Sequence, residues 1–234
     1  MLTPPGFRFA VVIPVYNHGR TLLAVVTKAL SLKWPVFVVD DGSSEDIILK
    51  EREFPGVTLL RHQVNQGKGA ALMTGFRAAL NVADFAVTID ADGQHHPEDA
   101  LRLMAAITPG QRPIVMGHRM SMDSSSTPWT SRFGRKFSNF WVRMAGGPNL
   151  SDTQSGFRIY PLPEVLNLDV VAGGYQFELE VLVKAARQKV PVIEENVRVT
   201  YPPEDKRISH FDPFGDFWRN SKLFARLITR RVFS

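Results

Sequence analysis

The sequence predicts an α/β fold, a mostly parallel central sheet with helices on both faces. Three observations predict it. Five short β-rich apolar runs recur before residue 120, stretches with helical spacing lie between them, and the runs end in polar turn residues. Strand–helix alternation of this kind builds parallel sheets covered on both sides, and ligands of such sheets gather at the carboxyl ends of the strands.

The elements follow in order. FRFAVVIPV (7–15) is an apolar run closed by turn residues, the pattern of a short buried strand. RTLLAVVTKALSL (20–32) then places apolar residues three and four apart, as a helix does. PVFVVDDGSS (35–44) and GVTLLRH (56–62) repeat the strand pattern, and the Ala-rich GKGAALMTGFRAALN (67–81) is helical. DFAVTIDADG (84–93) is the fourth strand; HPEDALRLMAAI (96–107) opens on Pro97 and two acids, as a helix N-terminus should; RPIVMGHR (112–119) is the fifth strand. Beyond it, SMDSSSTP (121–128) reads as a polar, mobile loop and SRFGRKFSNFWVRMAG (131–146) as a basic amphipathic helix. GGYQFELEVLVKAARQ (173–188) reads as a helix and VPVIEENVRVTY (190–201) as a strand. No repeat interrupts the pattern, so residues 1–205 are expected to form a single domain, followed by a distinct segment over 206–234.

Composition narrows the class. The chain has 234 residues, 44% hydrophobic and 22% charged, which suits a globular protein with a sizeable core. It has no Cys, which excludes disulfides, thiolate metal sites and a Cys nucleophile. The opening MLTPPGFRFAVVIPVYN has no basic stretch leading into a long apolar one, so no signal peptide is expected, and no apolar run reaches the roughly 18 residues of a membrane span. The net charge is +5, and residues 206–234 carry seven basic and two acidic groups, so residues 1–205 sum to zero.

The most informative stretch is TIDADGQHHPED (88–99). Asp90 and Asp92 stand two positions apart where the apolar run ends, and like charges that close are costly unless a cation or strong donors sit between them. In extended backbone, positions i and i+2 project to one side, so the two can converge on a metal; the alternative is an ordinary turn. An EF-hand fails, because Gly93 comes too early and Leu101 stands where the bidentate Glu belongs. His95 and His96 lack a third ligand at zinc spacing. NQGKGAAL lacks P-loop spacing, and the turn IPVYNHGRT lacks the Gly-x-Gly-x-x-Gly of dinucleotide oxidoreductases. In VVDDGSSED, Ser43 or Ser44 could cap a helix.

As an ordered set, VVIPVYN, VVDDGSSED, NQGKGAALMTGF, IDADGQHHPED, GHR, SDTQSGFRIY and GYQFELEVLVKAARQ resemble glycosyltransferase family 2, with its Rossmann-like GT-A fold. Within that family the likeness is to the dolichyl-phosphate mannose synthase and polyprenyl-phosphate glycosyltransferase branch, over about residues 8–201. The resemblance implies a nucleotide-sugar half over about 7–119 and an acceptor half over about 120–205. It implies that Asp90 and Asp92 hold Mg²⁺ or Mn²⁺ on the donor diphosphate, with Gln94 beside them. Pro14, Tyr16 and Asn17 would surround the base, Asp41 would meet base or ribose, and Lys68 would face the donor. Arg119 and Arg132 would take the acceptor phosphate, with Arg135 the alternative to Arg132; an Arg fork suits phosphate because it donates two parallel hydrogen bonds. Asp152 would act as general base or as organiser, since a phosphate acceptor is already ionised. Glu178 and Glu180 would line the site or serve as cap and salt bridge. One departure is His18, where many relatives have Glu; another is Gln188, followed by KVP in place of the Gln-x-x-Arg-Trp of processive synthases.

The expectation is an inverting, metal-dependent glycosyltransferase that moves one sugar from a GDP- or UDP-linked donor to a polyprenyl-phosphate or other membrane-associated acceptor. A family 2 enzyme with a soluble acceptor is the alternative, and a non-enzymatic nucleic-acid binder a distant one, because acidic strand ends on a neutral body repel nucleic acid. Residues 213–233 carry Phe214, Phe217, Trp218, Ala225, Ile228 and Val232 on one helical face and Arg219, Lys222, Arg226 and Arg230 on another. A basic, aromatic amphipathic helix suits an anionic membrane surface, so the protein is expected in the cytoplasm, peripheral on the cytoplasmic face of a membrane. The alternative is a helix packed on the core.

Overall fold

The structure is a computed structural model describing residues 6–45, 47, 49, 54–120, 129–200 and 213–232. Seven strands form one sheet: β1 Phe9–Val15, β2 Val36–Asp40, β3 Val57–Arg61, β4 Phe85–Thr88, β5 Ile114–Arg119, β6 Arg158–Pro161 and β7 Val192–Val197. Their spatial order is β3-β2-β1-β4-β6-β5-β7. All neighbours pair in parallel except β6, which runs antiparallel to both β4 and β5. The expected strands are all present, and β6 is a strand that the sequence pattern did not announce.

That one reversed strand matters for the site. Six strands deliver their carboxyl ends to a single edge of the sheet. Because β6 runs the other way, the chain must enter it from that same edge. The segment SDTQSGF therefore reaches the edge where β1, β2, β4 and β5 end.

Helices α1 Gly19–Leu30, α2 Lys68–Ala79, α3 Ala100–Ala105, α4 Trp129–Met144, α5 Phe177–Arg187 and α6 Pro213–Val232 cover the sheet. A 3-10 turn at Pro97–Asp99 leads into α3. The period-2 alternation of β1 splits the core in two. Phe9, Val11, Ile13 and Val15 pack with Leu22, Val25 and Val26 of α1 and Leu103 and Met104 of α3. Ala10 and Val12 face the other way, onto Leu72 and Phe76 of α2 and the apolar sides of α5 and α6.

The structure corrects three expectations. Among the described residues Ser43 and Ser44 cap no helix; the Ser43 hydroxyl accepts from the Asn17 amide, and Ser44 donates to the Asn17 side chain. Of the α6 apolar face that the spacing suggests, Ile228 packs on the core, but Trp218 and Ala225 do not. Leu223, Phe224 and Leu227 are buried, with Phe224 stacked on Trp141 of α4 at 6.2 Å, while Trp218 is 66% exposed and Ala225 lies at the surface. Nor does Arg226 belong to a solvated stripe: its Nη2 lies 3.2 Å from Oε2 of the fully buried Glu180. The loop 121–128, the strand-end residue Tyr201 and the side chains of Phe214, Phe217, Arg230 and Val232 lie outside the described residues.

Candidate active site

The edge where the strands end gathers charge. Asp90 follows β4, and Asp92 sits two residues on, in a turn and not in extended backbone. The turn is closed by Asp92 itself, whose Oδ1 accepts from the Gln94 amide at 2.9 Å. Gln94 is also tied through its carbonyl to the Thr200 amide. Burial and the neighbouring Asp90 charge push the Asp92 carboxyl up to about 6. Asp90 goes the other way: burial opposes its charge, but Lys68 outweighs burial and holds it below the usual carboxylate range.

Lys68 opens α2, and its ammonium bridges two carboxylates, Asp90 Oδ1 at 2.6 Å and Glu178 Oε1 at 2.8 Å. Two glycines make the bridge possible. A Cβ on Gly156 would stand 2.5 Å from Asp90 Oδ2 and 2.8 Å from Lys68 Nζ, so no larger residue fits there without displacing the pair. A Cβ on Gly69 would stand 2.5 Å from Phe177 Cβ, so only Gly lets α2 press against the start of α5. The Ala70 amide then donates to the Gly173 carbonyl at 3.0 Å. Glu180, one turn into α5, accepts from the Val171 and Ala172 amides and fixes that same loop.

A second charged pair stands beside the first. Arg119, at the end of β5, grips Asp152 with Nε–Oδ2 at 2.6 Å and Nη2–Oδ1 at 2.9 Å. Burial disfavours the Asp152 charge, yet Arg119 holds the carboxyl below its usual range, and Arg135 adds to the effect. Arg135 is buried on α4 near this pair. Arg132 also lies on α4, but its side chain is outside the described residues. The loop that carries Asp152 is held from three sides. Glu194 of β7 accepts from the Ser151 and Asp152 amides, Asn139 of α4 accepts from the Thr153 amide, and the fully buried Arg158 donates to the Thr153 and Ser155 carbonyls and to that of Glu178. Arg119 is near enough to lower the carboxyls of Asp90 and Asp92, so the two pairs form one electrostatic neighbourhood.

The ends of β1 and β2 form the third part. Pro14 and Tyr16 are half-buried, and Asn17 has left-handed backbone, φ 54. The Asn17 side chain bonds Ser44. Asp41 is held by the turn after β3: Oδ1 meets the His62 ring at 2.7 Å and accepts from the Gln66 amide at 2.9 Å, and Oδ2 accepts from the Gly67 amide at 2.7 Å. It fixes the turn that presents Lys68. His95 is buried against Phe157, and burial pulls its ring down to about 4, so it is neutral at pH 7. His96 bonds Thr200.

A divalent cation fits the Asp90–Asp92 end of the site. Asp92 is a half-buried carboxylate whose ionisation is suppressed by burial and by the neighbouring Asp90 charge, and hard cations prefer oxygen ligands. Among the described residues no group of three or more acids or histidines forms a protein-only cage, so such a cation would complete its shell with phosphate oxygens and water.

Sequence reasoning offered Glu178 as a lining residue or as cap or salt bridge, and the structure shows the salt bridge, to Lys68; it passed over Gly156, Glu194 and Arg158. Glu178 had a legible signal, an acid in the first turn of a helix, but not its partner. Gly156 had none, since close approach between β6 and α2 is visible only in three dimensions.

Comparison with known proteins identifies the family and the fold. The family described as "Glycosyl transferase family 2" matches residues 10–165. A UDP-N-acetylglucosamine–dolichyl-phosphate N-acetylglucosaminyltransferase of Methanococcus voltae is 29% identical over 212 residues, 81% of this chain and 84% of that one. An undecaprenyl-phosphate mannosyltransferase of Micrococcus luteus is 29% identical over 80% of this chain and 81% of that one. A polyprenol monophosphomannose synthase of Mycolicibacterium smegmatis is 27% identical over 88% and 81%. Among solved structures, glucosyl-3-phosphoglycerate synthase of Mycobacterium tuberculosis, in complex with Mn²⁺, UDP and its product, superposes with a TM-score of 0.68 over 97% of this chain and 80% of that one, at 20% identity. The shared fold is GT-A.

Proposed function

The chain belongs to glycosyltransferase family 2 and is a glycosyltransferase, and on that premise we propose that it moves a single sugar from a GDP- or UDP-linked donor to a polyprenyl phosphate, with inversion. The observation that carries this reading is the meeting, at one sheet edge, of the Asp90–Asp92 pair with the Arg119–Asp152 pair. The first suits a cation on a diphosphate; the second offers a guanidinium to a phosphate acceptor. The relatives from Methanococcus voltae, Micrococcus luteus and Mycolicibacterium smegmatis, whose names specify polyprenyl-type acceptors, support the acceptor class.

In this reading Asp90 and Asp92, with Gln94 beside them, hold Mg²⁺ or Mn²⁺, which when bound neutralises charge on the leaving nucleoside diphosphate. Pro14, Tyr16 and Asn17 flank the base. Asp41 fixes the Gln66–Gly67 turn that presents Lys68, at the strand end where base or ribose would lie. Arg119, with Arg132 or Arg135 of α4, orients the acceptor phosphate. That phosphate is ionised, so its oxygen attacks the anomeric carbon from the face opposite the diphosphate without giving up a proton. One C–O bond forms, the bond to the diphosphate breaks, and the leaving group carries away the electron pair. Asp152 organises Arg119; both of its oxygens already accept from that side chain.

The acceptor implies contact with a membrane. No helix among the described residues is long and apolar enough to cross one. Trp218, Arg219 and Lys222 of α6 are exposed, and so are Phe140 and Met144 of α4, against which α6 packs. Apolar and cationic side chains together suit an anionic lipid surface, supporting a peripheral protein on the cytoplasmic face.

The test has two stages. Thermal melts with UDP or GDP, each with and without Mn²⁺, should raise stability for one base in a metal-dependent way, because ligand binding to the native state shifts unfolding by mass action. A labelled donor carrying that base should then mark a detergent-dispersed polyprenyl phosphate. Stabilisation by neither nucleotide, or transfer only to water-soluble acceptors, would overturn the reading.

A further inference from the structure

The ammonium of Lys68 occupies an unusual position. It touches Asp90, the first carboxylate of the acidic pair, at 2.6 Å and Glu178 at 2.8 Å. The three side chains are poorly exposed, at 15% for Lys68, 26% for Asp90 and 8% for Glu178. The surroundings are shaped to this bridge: Gly156 leaves room for both Asp90 and Lys68, and the Tyr175 ring lies 5.8 Å from the ammonium. Among the described residues Asp92 has no such ion-pair partner; its Oδ1 accepts the backbone amide of Gln94.

We propose that Lys68 is a resident counter-ion that competes with the divalent cation for Asp90, and that Glu178 is the positioning residue that sets the strength of this competition by offering the ammonium a second carboxylate. The inference rests on the metal-dependent reading above and adds to it the device that governs metal affinity. The physical reason is charge balance. Without a cation, Asp90 and Asp92 stand close together in a poorly solvated site, and the ammonium offsets one of the two charges. A lysine ammonium is ordinarily charged at physiological pH, and here it lies 2.6 Å from one carboxylate and 2.8 Å from another, so the competitor is a cation. When a cation arrives, two positive charges would crowd one carboxylate. The ammonium need not move far to escape, because Glu178 is already in contact. Lys68 then rests on Glu178, near the place where the donor phosphates would lie.

The two partners of Lys68 therefore have opposite effects. Lys68→Met frees Asp90 and should tighten cation binding. Glu178→Gln leaves the ammonium with Asp90 alone and should weaken it. If Lys68 and Glu178 only supported the fold, both substitutions would loosen the site and both would weaken binding. The probe is Mn²⁺ alone, without nucleotide, titrated into the full chain while the spin-resonance signal of the free aqua ion is followed. The expected shifts are about tenfold tighter for Lys68→Met and about tenfold weaker for Glu178→Gln, the scale of one close charge pair. Should Lys68→Met fail to fold, judged by its melting curve, the double variant Lys68→Met/Glu178→Gln leaves Asp90 and Asp92 as the only acids of the cluster. It should bind Mn²⁺ more tightly than Glu178→Gln alone.

Shifts of the same sign, no shift in either variant, or a double variant no tighter than Glu178→Gln would overturn the proposal. So would an absence of Mn²⁺ binding in both the wild type and every variant lacking Lys68. Failure here is distinct from failure of the functional reading. Opposite Mn²⁺ shifts in a protein that no nucleoside diphosphate stabilises would retain the counter-ion and sink the transferase assignment. Nucleotide stabilisation with same-sign shifts would do the reverse.

Discussion

Arg119 and Asp152 meet as a two-bond fork, Nε–Oδ2 at 2.6 Å and Nη2–Oδ1 at 2.9 Å, with the carboxylate fully buried. The pair joins β5 to the segment that enters β6, two pieces of chain that the sequence keeps 33 residues apart. Breaking one partner of a buried pair typically costs about 3–5 kcal/mol, and the lower end applies because Arg119 keeps some exposure. Asp152→Asn should thus lower unfolding free energy by about 3 kcal/mol in a urea titration. Because Arg119 depresses the folded carboxyl, the wild-type contribution is present above the unfolded value near pH 4 and is lost as pH falls through the folded value. The stability gap between wild type and variant should therefore close in acid.

The same substitution tests the role of Asp152 in transfer. An organiser of Arg119 affects the acceptor's KM, and the pH profile keeps its shape. A general base would give a profile whose acid limb disappears in Asp152→Asn. That second outcome would return the proton-accepting role to Asp152.

Gly156→Ala should disable the site while leaving most of the fold in place. The new Cβ would lie 2.5 Å from Asp90 Oδ2 and 2.8 Å from Lys68 Nζ, closer than real Cβ atoms come to any neighbour. The charged pair must yield, since its side chains are softer than the backbone beneath. Turnover should fall by about a hundredfold, the cost of a misplacement on the order of 1 Å, with a melting temperature within a few degrees of wild type, a shift of about 1 kcal/mol. Full activity in Gly156→Ala would mean that the Asp90–Lys68 geometry is irrelevant.

His95 gives a pH signature of stability. Its folded value is pulled down to about 4 while the unfolded ring titrates near 6.5. Lowering the pH below 6.5 protonates the unfolded chain first, so stability is lost between about pH 6.5 and 4. At pH 5 the loss from this one group is about 2 kcal/mol relative to pH 7.5. His95→Leu removes the titration, so the variant should lose less stability than wild type between pH 7.5 and 5. Metal-free denaturant melts at the two pH values measure the difference, and parallel losses would show that His95 is not the group responsible.

The C-terminal helix needs surface variants and not a deletion. Leu223, Phe224 and Leu227 are buried, so removing α6 would uncover the core. Phe224→Ala should cost about 3–5 kcal/mol of stability by creating a cavity. In contrast, Trp218→Ala with Arg219→Glu and Lys222→Glu alters only exposed positions. That triple variant should melt like wild type yet fail to co-sediment with anionic vesicles that hold the wild type at low salt. Each cation near such a surface contributes about 1 kcal/mol, and salt should release the wild type. Equal sedimentation of the two would assign α6 a packing role alone.

Much of this protein was legible in the chain. Apolar runs of strand length, bounded by turns, located β1, β2, β4 and β5, because a strand buried on both faces needs continuous apolar sequence; the edge strands β3 and β7, largely uncovered, were located by their β-branched residues between turns. The ordered motifs located the acidic pair and Arg119 for a related reason: residues just past strand ends share one edge in any parallel sheet. The short β6 escaped because RIYP at Arg158–Pro161 is too brief to show a period, and its reversal decides that Asp152 and Gly156 reach the site. Partnerships escaped as well. Lys68 with Glu178, and Glu180 with Arg226, are ion pairs between distant segments. The sequence lists the charges, but which ones pair depends on how closely helices approach the sheet. That approach is set by packing, and packing exists only once the chain has folded.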